Sequence, residues 1–512
     1  MKSTPDAFPI AIIGAGFAGI GTAVRLQQEG IRGFTIFEQA NEIGGTWRDN
    51  TYPGCACDVP SHLYSFSFDA NPDWSEQFSR QPEILDYLKG VVDRHNLRPA
   101  IRFGVRVEGA EFDEDEGLWH VHLSTGEVFR ARVVVSGSGP LNVPSIPDIP
   151  GRDSFQGEQF HSSTWNHSYD LRGKRVASIG TGASAIQYVP EIAPEVDQLH
   201  VFQRTAPWVL PKMNQTFSKR RRRAFAAVPA LRKAYRNLIY WIMESRGIGF
   251  VKAPRLLQFI SRLATRHIEK SVSDPALRAK VTPEYTLGCK RILGSDRWYP
   301  TLERDNVDLV TDEITEIRSD SVVTADGVVR PVDAIIWGTG FRVTEFIARM
   351  NVRGIGGLDI NDAWKHGAEA YYGMTVAGFP NFFILVGPNT GLGHNSIVFM
   401  IEAQVHYILQ CIKRLRERDL AYLDVRPAVQ RSFNENLQSR MLETVWLTGC
   451  QSWYLDEQGK NFSLWPGFTF EYWLRTRRVD WSAFREAPRV ARSVPDDVLS
   501  KGSTEPDAQP TV

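Results

Sequence analysis

The sequence predicts an α/β protein made of two related strand–turn–helix domains, the second inserted into the first and itself carrying a helical insertion. Three observations carry that reading. A glycine-rich turn between a strand and a helix occurs twice, near residues 10–28 and 174–193. Each is followed by a second strand that brings a charged residue to the same offset. Each unit then closes on a short β-ribbon and a buried strand ending in GxG.

The first unit reads "PIAIIGAGFAGIGTAVRLQQEG". The apolar run Ile10–Ile13 is a buried strand, Gly14, Gly16 and Gly19 fill a GxGxxG pattern, and Thr22–Gln28 continue as helix. Glycines at this spacing make the tight turn, let the backbone approach a pyrophosphate and pack helix on strand. The next strand, "FTIFE", ends in Glu38, 19 residues after Gly19, where a carboxylate meets a ribose hydroxyl. A lone GxGxxG is weak; framed by two strands, a helix and an acid, it marks a Rossmann-like dinucleotide site.

The second unit, "KRVASIGTGASAIQYVPEIA", puts Gly180, Gly182 and Ala185 in the same places, with Thr181, Ala183 and Ser184 between them. Its following strand, "QLHVFQRT", brings Arg204 19 residues after Ala185, with Thr205 beside it. The offset is that of Glu38 and the charge is opposite. A carboxylate suits a free 2′-hydroxyl and a guanidinium suits a 2′-phosphate. The first unit therefore reads as FAD-binding and the second as NADPH-binding.

The closures "GEVFRARVVVSGSG" (126–139) and "GVVRPVDAIIWGTG" (327–340) have equal glycine-to-glycine spacing. The expected partition is an FAD domain over 1–147, an NADPH domain over 148–340 with a helical insertion at 213–285, and a return to the FAD domain with a C-terminal cap over 341–490. In the last part "NFFILVGPNTGLGHNS" is a strand and turn, and "IVFMIEAQVHYILQCIKRL" a helix. Residues 491–512 are polar, contain proline, and are expected to be disordered. The insertion contains the basic run "SKRRRR", a pattern open to a membrane surface or nucleic acid. The simpler expectation, a solvated helix face on a cap over the active site, is preferred.

A chain of 512 residues exceeds a single core and fits about three domain-sized units. Hydrophobic residues make up 42% and charged residues 23%, and 59 Lys and Arg balance 59 Asp and Glu. That composition is ordinary for a soluble globular protein, and the net charge argues for neither nucleic acid nor membrane as partner. Apolar runs fall short of the ~20 residues of a spanning helix, and no apolar leader precedes Ile10. Five cysteines, few and odd in number, suggest reduced thiols and a cytoplasmic setting.

Two dinucleotide sites imply hydride transfer from NADPH to flavin, so the next acceptor decides the function. Disulfide reductases need a cysteine pair near the flavin. The only close pair is Cys55 and Cys57, as CxC in "YPGCACD", a poor spacing for a bridge. No residues have convincing metal-ligand spacing, and no second redox centre is visible. Molecular oxygen is the simplest remaining acceptor.

One further segment narrows the choice. "FQGEQFHSSTWN" places Phe155, Gly157, His161 and Trp165 at the junction between the two domains. It is similar to the FxGxxxHxxxW fingerprint of type I Baeyer–Villiger monooxygenases, with Asn166 where that family has Pro or Asp. The resemblance covers nearly the whole chain, through "GGTW", "YPGCACD", "GTGASAIQ", "VFQRT", "GCKRILGSDRWYP" and "WGTGF". The C-terminal "GCQSWYLDEQGKNFSLWPGFT" resembles one ketone-oxidising branch and departs from the "GxNIPGK" ending of cyclohexanone-type members.

The resemblance implies that NADPH reduces FAD, that O2 adds to the flavin at C4a, and that the resulting peroxyflavin attacks a ketone to give an ester or lactone. It assigns Arg291, in "CKR", as the active-site cation and Asp58 as the carboxylate that holds it against the flavin. His161 couples domain position to chemistry by a hydrogen bond across the hinge. Gly45, Thr46, Trp47, Tyr64 and Val107 match flavin-side positions. Lys290 joins Arg204 and Thr205 at the 2′-phosphate, and Trp453 matches a mobile tryptophan over the nicotinamide. The partners implied are a small ketone and O2. Two other readings remain open: a flavin monooxygenase oxidising nitrogen or sulfur, which needs no adjacent arginine, and a flavin reductase passing electrons to a protein docked on the basic helix. A non-catalytic nucleotide sensor would leave "CKR" and the junction motif unexplained.

Overall fold

The computed structural model describes residues 8–343, 350–450, 452–456 and 459–489; the expected disordered tail lies outside the described residues. Two five-stranded parallel sheets organise the chain. In the first, Ile10–Ile13 lies between Phe34–Glu38 and Val133–Ser136, with Ile101–Phe103 and Phe382–Ile384 at the edges. In the second, Arg175–Ile179 lies between Gln198–Phe202 and Ala334–Trp337, with Val307–Val310 and Glu158–His161 outside. The two orders superpose strand for strand. In both, the strand before the glycine turn is central and the strand closing in GxG is its neighbour.

Ile10–Ile13, Val133–Ser136 and Ala334–Trp337 are short, mostly Ile, Val and Ala, and buried at every residue, the pattern of parallel strands covered on both faces. Each closing strand is preceded by an antiparallel ribbon, of Val107–Asp113, Leu118–Leu123 and Val128–Ala131 in one unit and of Ile314–Ile317, Ser321–Thr324 and Val329–Pro331 in the other. The C-terminal part returns to the first sheet. Phe382–Ile384 pairs with Val133–Ser136, and the helix Ile397–Glu417 packs on the helix Phe17–Gln28.

The chain passes between the two sheets at 137–151 and again at 338–343, and the two passages are hydrogen-bonded to each other. Ser145 donates its N–H to Gly340 O at 2.9 Å, and Arg342 donates to Val143 O at 2.9 Å. His161 ends the edge strand beside them. Its Nε2 is 3.0 Å from Gly340 O, so that nitrogen carries the proton, while Nδ1 accepts from Ser163 N–H at 3.1 Å. Burial lowers the His161 pKa, which keeps the ring neutral near pH 7. The rest of the junction motif is packing. Phe155 is buried with Trp337, a Cβ on Gly157 would lie 2.5 Å from Asp333 O, and Trp165 leads through Tyr188 to Tyr52. Asn166 accepts from Ser168 N–H at 3.0 Å, a turn bond an Asp would also make, but its Nδ2 donates to Glu158 Oε1 at 2.7 Å, which an Asp could not do.

Four helices fill the insertion: Lys219–Ala227, Pro229–Val251, Arg255–Ser271 and Pro275–Val281. The basic run is only partly solvated, as Arg221 lies over Phe217 at 4.5 Å and Tyr235 at 4.7 Å, and Arg222 pairs with Asp73. Lys219, Arg220 and Arg223 are exposed, and beyond the basic run the outward faces of the two longer helices are apolar: Leu238, Trp241, Ile242 and Phe259 are all exposed.

The cysteines also depart from expectation. Cys289 and Cys450 form a disulfide across 161 residues, their Cα atoms 6.2 Å apart, while Cys55, Cys57 and Cys411 are free and buried. An odd count only requires one thiol to stay unpaired. The pairing comes from tertiary proximity that spacing does not encode.

Candidate active site

A single cleft of about 2170 Å³ runs past both glycine turns. It is more than twice the ~300–1,000 Å³ of ordinary small-molecule sites, as two dinucleotides require. Gly14 has φ +90° and a Cβ there would come 2.9 Å from Gly137 O; Gly180 has φ +105° and a Cβ would come 2.5 Å from Gly338 O. In each unit, then, the first fingerprint glycine is pressed against the glycines of its own closing strand. Gly19 is packed on the Gly14 carbonyl, and Ala185 is fully buried; both support the turns from behind rather than lining the cleft.

The helices Phe17–Gln28 and Ala185–Ile192 begin at Gly16 and Ser184 with no side-chain cap. In Phe17–Gln28 the first N–H groups are thereby left for an anion such as a pyrophosphate; in Ala185–Ile192 Ile186 donates to Gly182 O at 3.1 Å and Gln187 to Ser184 O at 3.0 Å, so fewer donors remain at that turn. A Cβ on Gly182 would meet nothing within 4 Å, so that turn opens onto the cleft. At the end of its strand, Glu38 accepts from Ala15 N–H at 2.8 Å and Ala40 N–H at 3.0 Å, and Arg48 pairs with it at 2.8 Å. These contacts fix the carboxylate at the cleft wall and leave it acceptor capacity for a hydroxyl. Gly45, Thr46, Trp47, Tyr64 and Val107 line the same end, with Trp47 Nε1 donating to Tyr64 Oη at 3.1 Å.

At the other end Thr181, Ala183, Arg204, Thr205 and Lys290 line the wall. Burial and then the positive charge of Arg204 lower the Lys290 pKa. Two cations held close enough to oppose each other make a site for an anion with more than one negative charge, as a phosphate monoester is.

Between the ends lies Arg291. Its Nε donates to Asp58 Oδ2 at 3.0 Å and its Nη2 donates to the same oxygen. About 41% of the arginine side chain and 35% of the aspartate remain accessible, and both residues line the cleft, so that surface faces the cavity. Asp58 raises the Arg291 pKa well above its usual value. Burial pushes Asp58 up, but the charge and hydrogen bonds of Arg291 outweigh it and the net shift is down. The pair is therefore ionised at any working pH, with guanidinium donors facing the space between the nucleotide loops.

Trp453 also lines the cleft, 45% exposed, its ring 4.3 Å from Tyr454. Tyr454 escaped the sequence reading. It is buried at the cleft wall and its hydroxyl is pushed up to about 12, first by burial. Gln187 was missed as well. Its amide exchanges hydrogen bonds with Ala56 N–H at 3.2 Å and Ala56 O at 3.0 Å and accepts from Tyr52 Oη at 3.0 Å, fastening "YPGCACD" to the second domain. Only its place in the helix after "GTGAS" hinted at it. His161 does not line the cleft. Asp113, Glu116 and His120 bring possible ligand atoms within 4.8 Å of one another on the first ribbon, but Arg130 pairs with Glu116 and accounts for the cluster.

A family model described as pyridine nucleotide-disulphide oxidoreductase matches residues 11–226. A Baeyer–Villiger monooxygenase of Pseudomonas aeruginosa is 49% identical over 477 residues, 93% of this chain and 90% of its own. One of Streptomyces coelicolor is 48% identical, covering 96% of this chain and 95% of its own. Among solved structures, OTEMO in complex with FAD and NADP is 30% identical with a TM-score of 0.86, covering 94% of this chain and 99% of that one. With relatives of this identity spanning nearly its whole length, the chain belongs to the Baeyer–Villiger monooxygenase family.

Proposed function

We propose that this protein is an FAD- and NADPH-dependent monooxygenase that inserts one atom of O2 beside a ketone carbonyl, giving an ester or lactone. The observation that carries this is the Arg291–Asp58 pair, ionised and facing the cleft that both glycine turns share. We assign FAD to the end lined by Gly14, Gly16, Glu38, Gly45, Thr46, Trp47, Tyr64 and Val107. NADPH is assigned to the end lined by Gly180, Thr181, Gly182, Ala183, Ser184, Arg204, Thr205 and Lys290. The corresponding partition is 1–147 with 341–490 for FAD and 148–340 for NADPH, supported by the two parallel sheets. We place the reaction in the cytoplasm, where NADPH is regenerated; no described helix is long and apolar enough to cross a membrane.

FAD, when bound, supplies the hydride acceptor and the site of oxygen activation. Arg291 supplies a fixed positive charge where the ketone oxygen gains negative charge, and its fork of donors costs no reorganisation at that moment. Asp58 keeps the fork aimed. Trp453 and Tyr454 line the same cleft, and the buried Tyr454 presents an apolar ring there, the kind of wall that limits water and strengthens charge interactions. The test is product analysis under ¹⁸O₂ with linear, cyclic and aryl ketones and a thioether. Labelled ester or lactone is expected. Sulfoxide alone would move the protein to a sulfur-oxidising reading, and NADPH oxidation without any oxygenated product would make it a reductase.

A further inference from the structure

The reaction leaves the outer surface of the helical insertion unused. On the helix Pro229–Val251, Leu231, Leu238, Trp241, Ile242 and Ile248 are exposed. Their spacing of seven, ten, eleven and seventeen residues from Leu231 puts them on one side of the helix, while Ile239, Met243 and Phe250 are buried. Leu257 packs on Gly249 and turns the next helix, Arg255–Ser271, so that Leu256, Phe259, Ile260 and Leu263 remain outside. The surface continues onto a distant part of the chain. In Thr469–Thr476 the residues Phe470, Trp473 and Leu474 are exposed, and the Phe470 ring lies 6.2 Å from that of Trp241. Isolated exposed apolar residues are ordinary; a connected face on three helices, rich in Trp, Phe and Leu, is an interaction surface.

The charges around it identify the partner. From Lys219 to Lys270 the chain carries fourteen Lys and Arg against Glu244 and Glu269, a net of twelve positive charges. Glu244 is buried and hydrogen-bonded to Asn395 and Thr469. Arg475, Arg477 and Arg478 follow the apolar residues of the third helix. Because the whole chain is neutral, everything outside 219–270 carries the balancing twelve negative charges. Arg236 turns inward to the carbonyls of His62 and Ser65, but the remaining excess is still positive, and a second copy seated on this face by two-fold symmetry would set like charge against like. An anionic bilayer matches both features at once. Its headgroups meet the basic residues, its acyl boundary takes Trp241 and Phe259, and its field turns the acidic remainder of the molecule away.

We infer that this face docks the enzyme peripherally on an anionic lipid surface. The docking is independent of the reaction assigned above. It is tested by flotation of the FAD holoenzyme with vesicles of phosphatidylcholine alone and with about 30% phosphatidylglycerol. Binding to the anionic vesicles only, weakened by salt, is expected. Trp241→Ser and Phe259→Ser should each weaken it about tenfold by removing inserted apolar surface. Lys233→Gln and Lys252→Gln should each weaken it about fivefold. All four should retain wild-type melting and turnover of a water-soluble ketone. Equal binding to neutral vesicles, no binding to either, or indifference to all four substitutions overturns the inference. So does a dimer or larger oligomer that Trp241→Ser dissociates, which would give the face to another copy, or heparin binding unaffected by Trp241→Ser in a protein that ignores vesicles.

Discussion

Replacing Arg291 with Ala should separate flavin reduction from oxygen insertion. Both Nε and Nη2 of Arg291 are bonded to one oxygen of Asp58, and Nη1 has no hydrogen-bond partner among the described residues. The donors left over face the cleft, so the substitution removes a prepared cation. Losing one such donor costs about 2.7–4 kcal/mol, or ~10²–10³ in rate. Asp58 changes too, because burial then acts without the strongest opposing charge and its pKa rises from the depressed value. Hydride transfer depends mostly on the glycine turns, which the substitution does not touch. Stopped-flow reduction by NADPH should stay within about tenfold of wild type while ester formation falls ~10²–10³-fold. The FAD content of the purified variant checks folding, and Arg291→Lys, which keeps charge but not the fork, should fall between the two. Ester formation by Arg291→Ala at near wild-type coupling would refute the role given to the pair.

Four further outcomes follow from the structure. Arg204→Ala should raise the KM for NADPH about ten- to a hundredfold through loss of a charge-assisted phosphate contact, with little change for NADH; equal changes would remove the assignment. Gly180→Ala forces a Cβ to within 2.5 Å of Gly338 O at φ +105°, so it should destabilise by about 1–3 kcal/mol and weaken NADPH more than FAD, read from thermal melts with each cofactor. His62 lies in an aromatic cage with Phe225 and Tyr235, and burial followed by the charges of Arg221, Arg232 and Arg236 pushes its pKa down to about 4. Because the unfolded chain takes up this proton first, stability falls as pH drops from about 6.5 toward 4, by about 3 kcal/mol in all; His62→Phe should flatten that part of the pH–stability curve, and an unchanged slope would contradict the assignment. Alkylation of the denatured, unreduced protein should label three cysteines, and five after reductant; five without reductant would disprove the Cys289–Cys450 bridge.

What the sequence disclosed and what it hid divide along physical lines. Gly14 and Gly180 were legible because a turn that tight leaves one residue type at each position, and Glu38 and Arg204 because charge at a strand end follows directly from spacing. The doubled closing ribbons were legible for the same reason. Each of these features is local. Gln187, the disulfide and Tyr454 depend on segments separated by more than a hundred residues meeting in space, which no short pattern records. The outward apolar face was hidden for a different reason. A helix with apolar residues on both sides reads as buried or capping, and only the packing shows which side finds no partner within the chain.

The paired passages between the sheets limit how the two nucleotide platforms move. A single connecting strand would act as a swivel, free to twist as well as bend. Two strands laced side by side by Ser145, Gly340, Val143 and Arg342, with His161 pinned to the same Gly340 carbonyl, behave like a door on two pins. Torsion about the crossing would shear those hydrogen bonds, whereas flexing across the ribbon leaves them intact. Such a crossing would favour a single arc of motion, and a nicotinamide held at the second sheet, as proposed above, would return along the same track. On that account the histidine of the junction motif serves accuracy of return: loosening it should broaden the positions the nicotinamide visits without altering the residues that bind it.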